Sequence, residues 1–226
     1  RTSADQHDAG AARQAPVAER QPSPPAQPAA KAGAQRNWPL QIFVASVIAC
    51  GSGVATVAAL AAPLPELAVL SVLFGLAMLA ELFQINVYDD NSMSVSLAIG
   101  IAAALSQGLV GVVAISAAIA LADQIRQRRP ARDLYKVAFN WATHTISGVA
   151  PVLALWLVPI TVRIEAIPLL AIVVLVVSPI YYASDTLLIS GAISLSRGAR
   201  LLETWRTQFR WMLPHYLVLS MMGMFL

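Results

Sequence analysis

Charge is scarce in this chain. Lys, Arg, Asp and Glu make up 12% of its 226 residues, about half the share found in a soluble globular domain. Hydrophobic residues make up 58% and mean hydropathy is +0.66, so a water-soluble core within a charged shell is excluded. Cysteine is limited to Cys50, which excludes an intrachain disulfide and a cysteine-based zinc site. Its place in an apolar run reads as small-residue packing. Histidine is limited to His7, His144 and His215, in three separate segments and without a second ligand at helical spacing, so no metal or haem site is expected. Also missing are a P-loop, a GxGxxG turn, an HExxH pair and a GxSxG elbow. No catalytic residue, no cofactor and no nucleic-acid partner is therefore assigned.

What remains is a succession of long apolar runs from Trp38 to Leu226, interrupted by short charged or proline-bearing joints. A bilayer accommodates such runs at roughly 20 residues per helical span. The expected fold is all-α: a polytopic transmembrane bundle of six to seven helices over 38–226. It follows a tail, residues 1–37, of Ala, Pro, Gln, Arg and Ser that buries too little apolar surface to offset chain entropy and is expected to be disordered. Within the tail, QPSPPAQP (Gln21–Pro28) reads as spacer, with a polyproline II ligand as the alternative. The chain starts at Arg1 and ends at Leu226 inside an apolar run, so both ends are expected to be cut from something longer.

The first run, Trp38 to about Leu64, meets Pro63 and Pro65 and should form a hairpin with a second run from Leu67 to about Val87. Asp89, Asp90 and Asn91 make a polar joint. The uncharged stretch from Ser92 to Ala122 is too long for one untilted helix, and Gly108 and Gly111 sit near its middle. Two short helices meeting near Gln107 and Gly108 are expected. A run from Val137 to Val162 follows, then another from Ala166 to about Leu195 that Pro168 starts and Pro179 should kink.

Orientation follows from the basic loops. Arg126, Arg128, Arg129, Arg132 and Lys136 form one cluster, and Arg197, Arg200, Arg206 and Arg210 form a second on the same side of the intervening hairpin. The positive-inside rule makes that side cytoplasmic. With two short helices in 92–122 the N-terminus is also cytoplasmic; a single tilted span there would put it outside. Between Ala199 and Met212, Leu201, Leu202, Trp205, Phe209 and Met212 gather near one face, with Arg200, Arg206 and Arg210 toward another. That is the pattern of an interfacial amphipathic helix, the alternative being a plain extension of the final span.

Polar residues within apolar runs are the candidate functional residues, because burying them is costly unless they are paired or line a cavity. Glu81, Asn140, His144 and Asp185 are the ones singled out. Asn140, Thr143, His144 and Ser147 recur at i, i+3, i+4 and i+7 and share one helical face. Two readings stay open for that stripe: hydrogen bonding between helices, and a ligand or ion cavity. Asp123, beside Gln124 and Arg126, is expected to be a solvated helix-end charge.

Three stretches carry a resemblance. They are SVSLAIGIAAALSQGLVGVVAISAAIALADQIRQRRP from Ser94, DLYKVAFNWATHTISG from Asp133, and YYASDTLLISGAISLSRGARLLETWRTQFRWMLPHYLVL from Tyr181. Together they resemble the N-terminal membrane region of bacterial signalling proteins whose cytoplasmic part is an HD or HD-GYP phosphohydrolase or a GGDEF diguanylate cyclase. Tyr135, Lys136, Phe139 and Asn140 match that group's YKVLFN entry, and Trp205, Phe209, Trp211, Pro214, His215 and Tyr216 match its WxxxFxWxxPHYL ending. Asp185 departs from the Asn usual there, and Trp141 from a small residue. The resemblance implies a sensor or anchor module of the bacterial inner membrane, working on a cytoplasmic signalling domain in cis that would lie beyond Leu226. The lipid bilayer is its first partner, and a second copy of the chain is left open. The glycine-bearing hairpin before a basic loop also resembles the substrate-binding subunits of energy-coupling-factor vitamin transporters. A membrane scaffold without a ligand is the third reading.

Overall fold

The computed structural model describes residues 37–63, 65–88, 91–93, 95–156 and 167–226. The expected disordered tail and its QPSPPAQP stretch lie outside these residues, as do Asp89, Asp90, Arg163 and Glu165.

Among the described residues the chain is helical apart from one short hairpin of strands. Three helices are long and apolar enough to cross a membrane: α1 (Trp38–Ala61), α3 (Ser96–Gln127) and α6 (Ile167–Arg197). The shorter helices are α2 (Leu67–Leu82), α4 (Leu134–Ser147), α5 (Val149–Trp156), α7 (Leu201–Gln208) and α8 (Leu213–Gly223). Large apolar side chains point outward along them, Leu60 being 84% exposed and Ile42 and Val72 each 62%. Such surface is unfavourable in water and matches hydrocarbon, so the chain is a membrane protein by its helices and by its exposed face.

Helix ends follow local chemistry. Asn37 caps α1, its Oδ1 accepting from the Leu40 N–H at 3.4 Å. Pro63 and Pro65 then keep α1 from continuing, and α2 starts at Leu67. The second apolar run does not stay helical to Val87: α2 stops at Leu82, and β1 (Ile85–Tyr88) pairs antiparallel with β2 (Asn91–Met93), Ile85 facing Met93. Of the Asp–Asp–Asn joint of the sequence, Asn91 opens β2.

The uncharged stretch expected to be two helices from Ser92 begins in β2 and turns helical only at Ser96; from there to Gln127, α3 is two arms with a sharp turn at Gly108 (φ 61°, ψ −142°), backbone space that residues with a Cβ rarely enter. The arms fold against each other closely enough that a Cβ on Gly111 would meet the Ala103 carbonyl oxygen. α2 runs beside the first arm. Its start meets the turn, where Glu66 N–H donates to Gln107 Oε1 at 2.9 Å, and its end meets Ser96. Ala98, Ala102, Ala103, Ala118 and Ala122 are buried between helices, which gives the close backbone approach that drives association where no hydrophobic effect operates.

Around this layer, α1 packs on α4, with Gly51 against Ala142 and Phe43 6.3 Å from Phe139. The expected run from Val137 divides into α4 and α5 at Gly148, because Pro151 has no N–H to offer the Ser147 carbonyl. Helix α6 continues through Pro179. Its end lies beside the start of α1, where Asn37 Nδ2 donates to Leu195 O at 2.6 Å. At the far end of the fold, Gly223 of α8 lies so close to α3 that a Cβ there would strike the Ala98 carbonyl.

The expected amphipathic helix is α7, followed by a 3-10 turn at Arg210–Met212 and a new helix at Leu213, so it is not an extension of a span. Its apolar stripe divides. Phe209 is buried and Trp205 half-buried, whereas Leu201, Leu202 and Trp211 stay exposed among Arg200, Arg206 and Arg210.

Replacing Gly108 with alanine forces a Cβ into this backbone region, and a loss of about 1–3 kcal/mol of stability is expected. Thermal unfolding in detergent measures it, with Gly100→Ala as the control, since no atom lies within 4 Å of a Cβ added there.

Candidate functional site

Of the four polar residues singled out, His144 and Asp185 meet directly. Asp185 lies on α6, 1% exposed, and its Oδ1 stands 3.2 Å from His144 Nδ1 on α4. The contact has ion-pair distance but lies off the axis of an N–H···O hydrogen bond, and neither atom has another hydrogen-bond partner. The second carboxylate oxygen is well bonded: Tyr216 on α8 donates its O–H to Asp185 Oδ2 at 2.8 Å. One buried carboxylate therefore joins three helices whose residues are far apart in sequence.

Helical spacing explains how α4 reaches it. Ala142 faces α1, Gly148 faces the second arm of α3 against Val112, and His144 is turned to α6 between them. Thr143 and Ser147 are buried, as the shared stripe predicts, and Asn140 and His144 are half-buried. Thr145, off that stripe, is also fully buried, so α4 is enclosed on more sides than the sequence pattern indicates. Asn140 is not brought to the carboxylate by any hydrogen bond. Trp141 reaches the second arm of α3, where its Nε1–H points at Val113 O at 3.4 Å.

Glu81 forms a separate contact. It is 5% exposed at the end of α2 and accepts from Ser96 Oγ at 2.8 Å. Glu81 and Asp123 lie within electrostatic range of His144 without touching it. Asp123 is not the solvated charge expected. It is buried and clamped by Arg126 at 3.0 Å and Arg129 at 2.9 Å, because the chain turns back at Arg128 (φ 46°) and returns Arg129 to the helix end.

A seam of aromatic and hydroxyl groups extends from Asp185 along α6. Tyr182 donates to the Phe209 carbonyl at 2.9 Å, and Trp205 Nε1–H donates to Thr186 Oγ1 at 2.9 Å. Thr186 in turn donates to Tyr182 O at 2.7 Å. The Tyr182 ring stands edge-on to Tyr216 at 5.2 Å and lies 6.0 Å from Trp205. Tyr182, Thr186 and Tyr216 are site residues that reasoning from sequence did not single out. The available signal was their i, i+4 spacing on α6 and the aromatic ending beyond it.

Enclosed space nearby is small. The void among Ile101, Leu105, Pro151, Val173, Val174 and Val177 holds about 10 Å³ and has no polar lining, enough for one water at most. Among the described residues no cluster of three or more His, Cys, Asp or Glu is arranged to hold a metal ion. Comparison with family models, with curated proteins and with solved structures finds no match to this chain.

Removing the Tyr216 hydroxyl as Tyr216→Phe leaves a buried carboxylate oxygen without its donor and is expected to cost about 1–3 kcal/mol. A double-mutant cycle with Asp185→Asn, read by thermal unfolding, should give a coupling of about 1 kcal/mol or more. Additive losses would mean that the two groups do not act on each other.

Proposed function

We propose that this chain is the membrane sensor or anchor module of a bacterial signalling protein, acting on a cytoplasmic signalling domain in cis. The observation that carries the reading is the seam on α6. Trp205, Phe209 and Tyr216, three residues of the WxxxFxWxxPHYL ending, close onto Tyr182, Asp185 and Thr186 through three hydrogen bonds. Interhelical hydrogen bonds in a membrane are worth about 1 kcal/mol each, so three of them hold α7 and α8 against α6 while leaving the arrangement reversible. A signal that alters the packing at Asp185 is in this way passed to the last helices of the chain.

In the same reading the module crosses the inner membrane six to seven times, with the two arms of α3 as separate passes. The N-terminus and both arginine clusters are cytoplasmic. The contact of Asn37 with Leu195 supports this, because it brings the start of α1 to the arginine-bearing end of α6.

Reading the gene beyond Leu226 tests the function: a frame running into an HD or GGDEF domain supports it, and a stop within a few dozen codons overturns it in favour of solute binding or scaffolding. For topology, single cysteines in a Cys50→Ser background should react with an impermeant thiol reagent from the cytoplasm at Ala131→Cys and Ala199→Cys, and from outside at Glu66→Cys. Glu66→Cys labelled from the same side as the other two would rule out the pass assignment.

A further inference from the structure

Asp185 Oδ1 and His144 Nδ1 face each other at 3.2 Å, both buried and, among the described residues, both without another hydrogen-bond partner. With the neutral ring's proton on Nε2, a carboxylate lone pair confronts an imidazole lone pair; with it on Nδ1 a donor faces the carboxylate, but the pair keeps its negative charge. One further proton, held as imidazolium or as carboxylic acid, leaves a donor facing an acceptor and no net charge. Low dielectric strongly favours that state.

Among the described residues no other cation meets the carboxylate. From its own helix Tyr181 lies within electrostatic range, from α8 it meets Tyr216, whose ring packs on Tyr182, and from α4 His144. His215, next to Tyr216, makes no hydrogen bond or ion pair with it. Glu81 of α2 and Asp123 of α3 add only negative charge, and Asp123 is already neutralised by Arg126 and Arg129. From α7, Trp205 is not titratable and the side chains of Glu203 and Arg206 are exposed; α1 carries only the exposed Cys50, and α5 has no titratable residue. The His144 side chain is 19% exposed against 2% for the carboxylate, so the ring is the more open member of the pair.

We infer that His144 and Asp185 form a binding site for a single proton within the membrane domain, and that occupancy of this site sets how α8 is held on α6. Tyr216 links the two events. Its O–H stabilises the carboxylate through Oδ2, and it also carries the ring that packs on Tyr182. Losing the proton leaves the pair with a net negative charge, so that the carboxylate leans more on the Tyr216 O–H and the seam repacks. That this occupancy is the input of a signalling module rests on the function proposed above; proton binding itself does not.

The test is a pH titration of the full chain in lipid nanodiscs, followed by tryptophan fluorescence, which Trp205 supplies at the seam, and by infrared absorption of carboxyl groups. One reversible step across the pH range in which the chain stays folded is expected. It should disappear in Asp185→Asn and in His144→Gln, while helical content by circular dichroism is unchanged. A wild-type chain without a step, or a step that persists unaltered in Asp185→Asn, overturns the inference. Should Asp185→Asn fail to fold, Tyr216→Phe decides: a midpoint moved by about one pH unit or more is expected from loss of a hydrogen bond to a charged group, and an unmoved midpoint overturns the proposal. The readout uses this chain alone. A negative titration leaves the anchor function standing, and a stop codon beyond Leu226 leaves the proton site standing.

Discussion

A carboxylate buried where water does not reach has to find its partners inside the protein, and the interior of this one is arranged around that requirement at Asp185. A lone charge there would cost many kcal/mol. His144 and Tyr216 offset the cost from two other helices, and meeting both obliges α4, α6 and α8 to converge at one depth. The seam through Tyr182, Thr186 and Trp205 extends the same solution toward α7, each polar group finding its donor or acceptor on a neighbour. Small residues do the remaining work. The alanines of α3 and the contacts of Gly51 and Gly111 let the helices approach far enough for these short bonds to form.

Much of the fold was legible in the sequence because it is punctuated locally. Two prolines end α1, and a glycine in an uncharged stretch too long for one helix marks the turn inside α3; each acts on its own backbone, with no need of tertiary information. The hairpin at 85–93 was not legible. Four- and three-residue strands are too short for alternation to stand out beside a strongly apolar run, and the acidic joint reads as any loop. The division of α4 from α5 was missed for a related reason, since apolar composition continues unbroken across Gly148.

Two residues of the candidate site, His144 and Asp185, were singled out from the sequence, but its connections were not legible there. Polar residues in apolar runs identify themselves by their cost, which is how Glu81, His144 and Asp185 stood out. Which of them meet depends on how α4, α6 and α8 cross, and periodicity within one helix holds no information about that. Tyr216 reaches Asp185 from 31 residues away, and a tyrosine in an apolar run raises no suspicion by itself. Asp123 shows the same limit from the other side: its burial depends on Arg129 being swung back by the left-handed backbone at Arg128.

Gly223 touches the backbone of α3 at Ala98 with no side chain between them. A contact of that kind has no rotamer to absorb displacement, so it behaves as a stiff bearing and not as a cushion. Whatever pulls or twists the end of α8 therefore moves the first arm of α3 with little slack. Because that arm lies along α2 and begins at Ser96, the same motion is felt at Glu81. The end of α8 and the acid of α2 are in this sense parts of one lever.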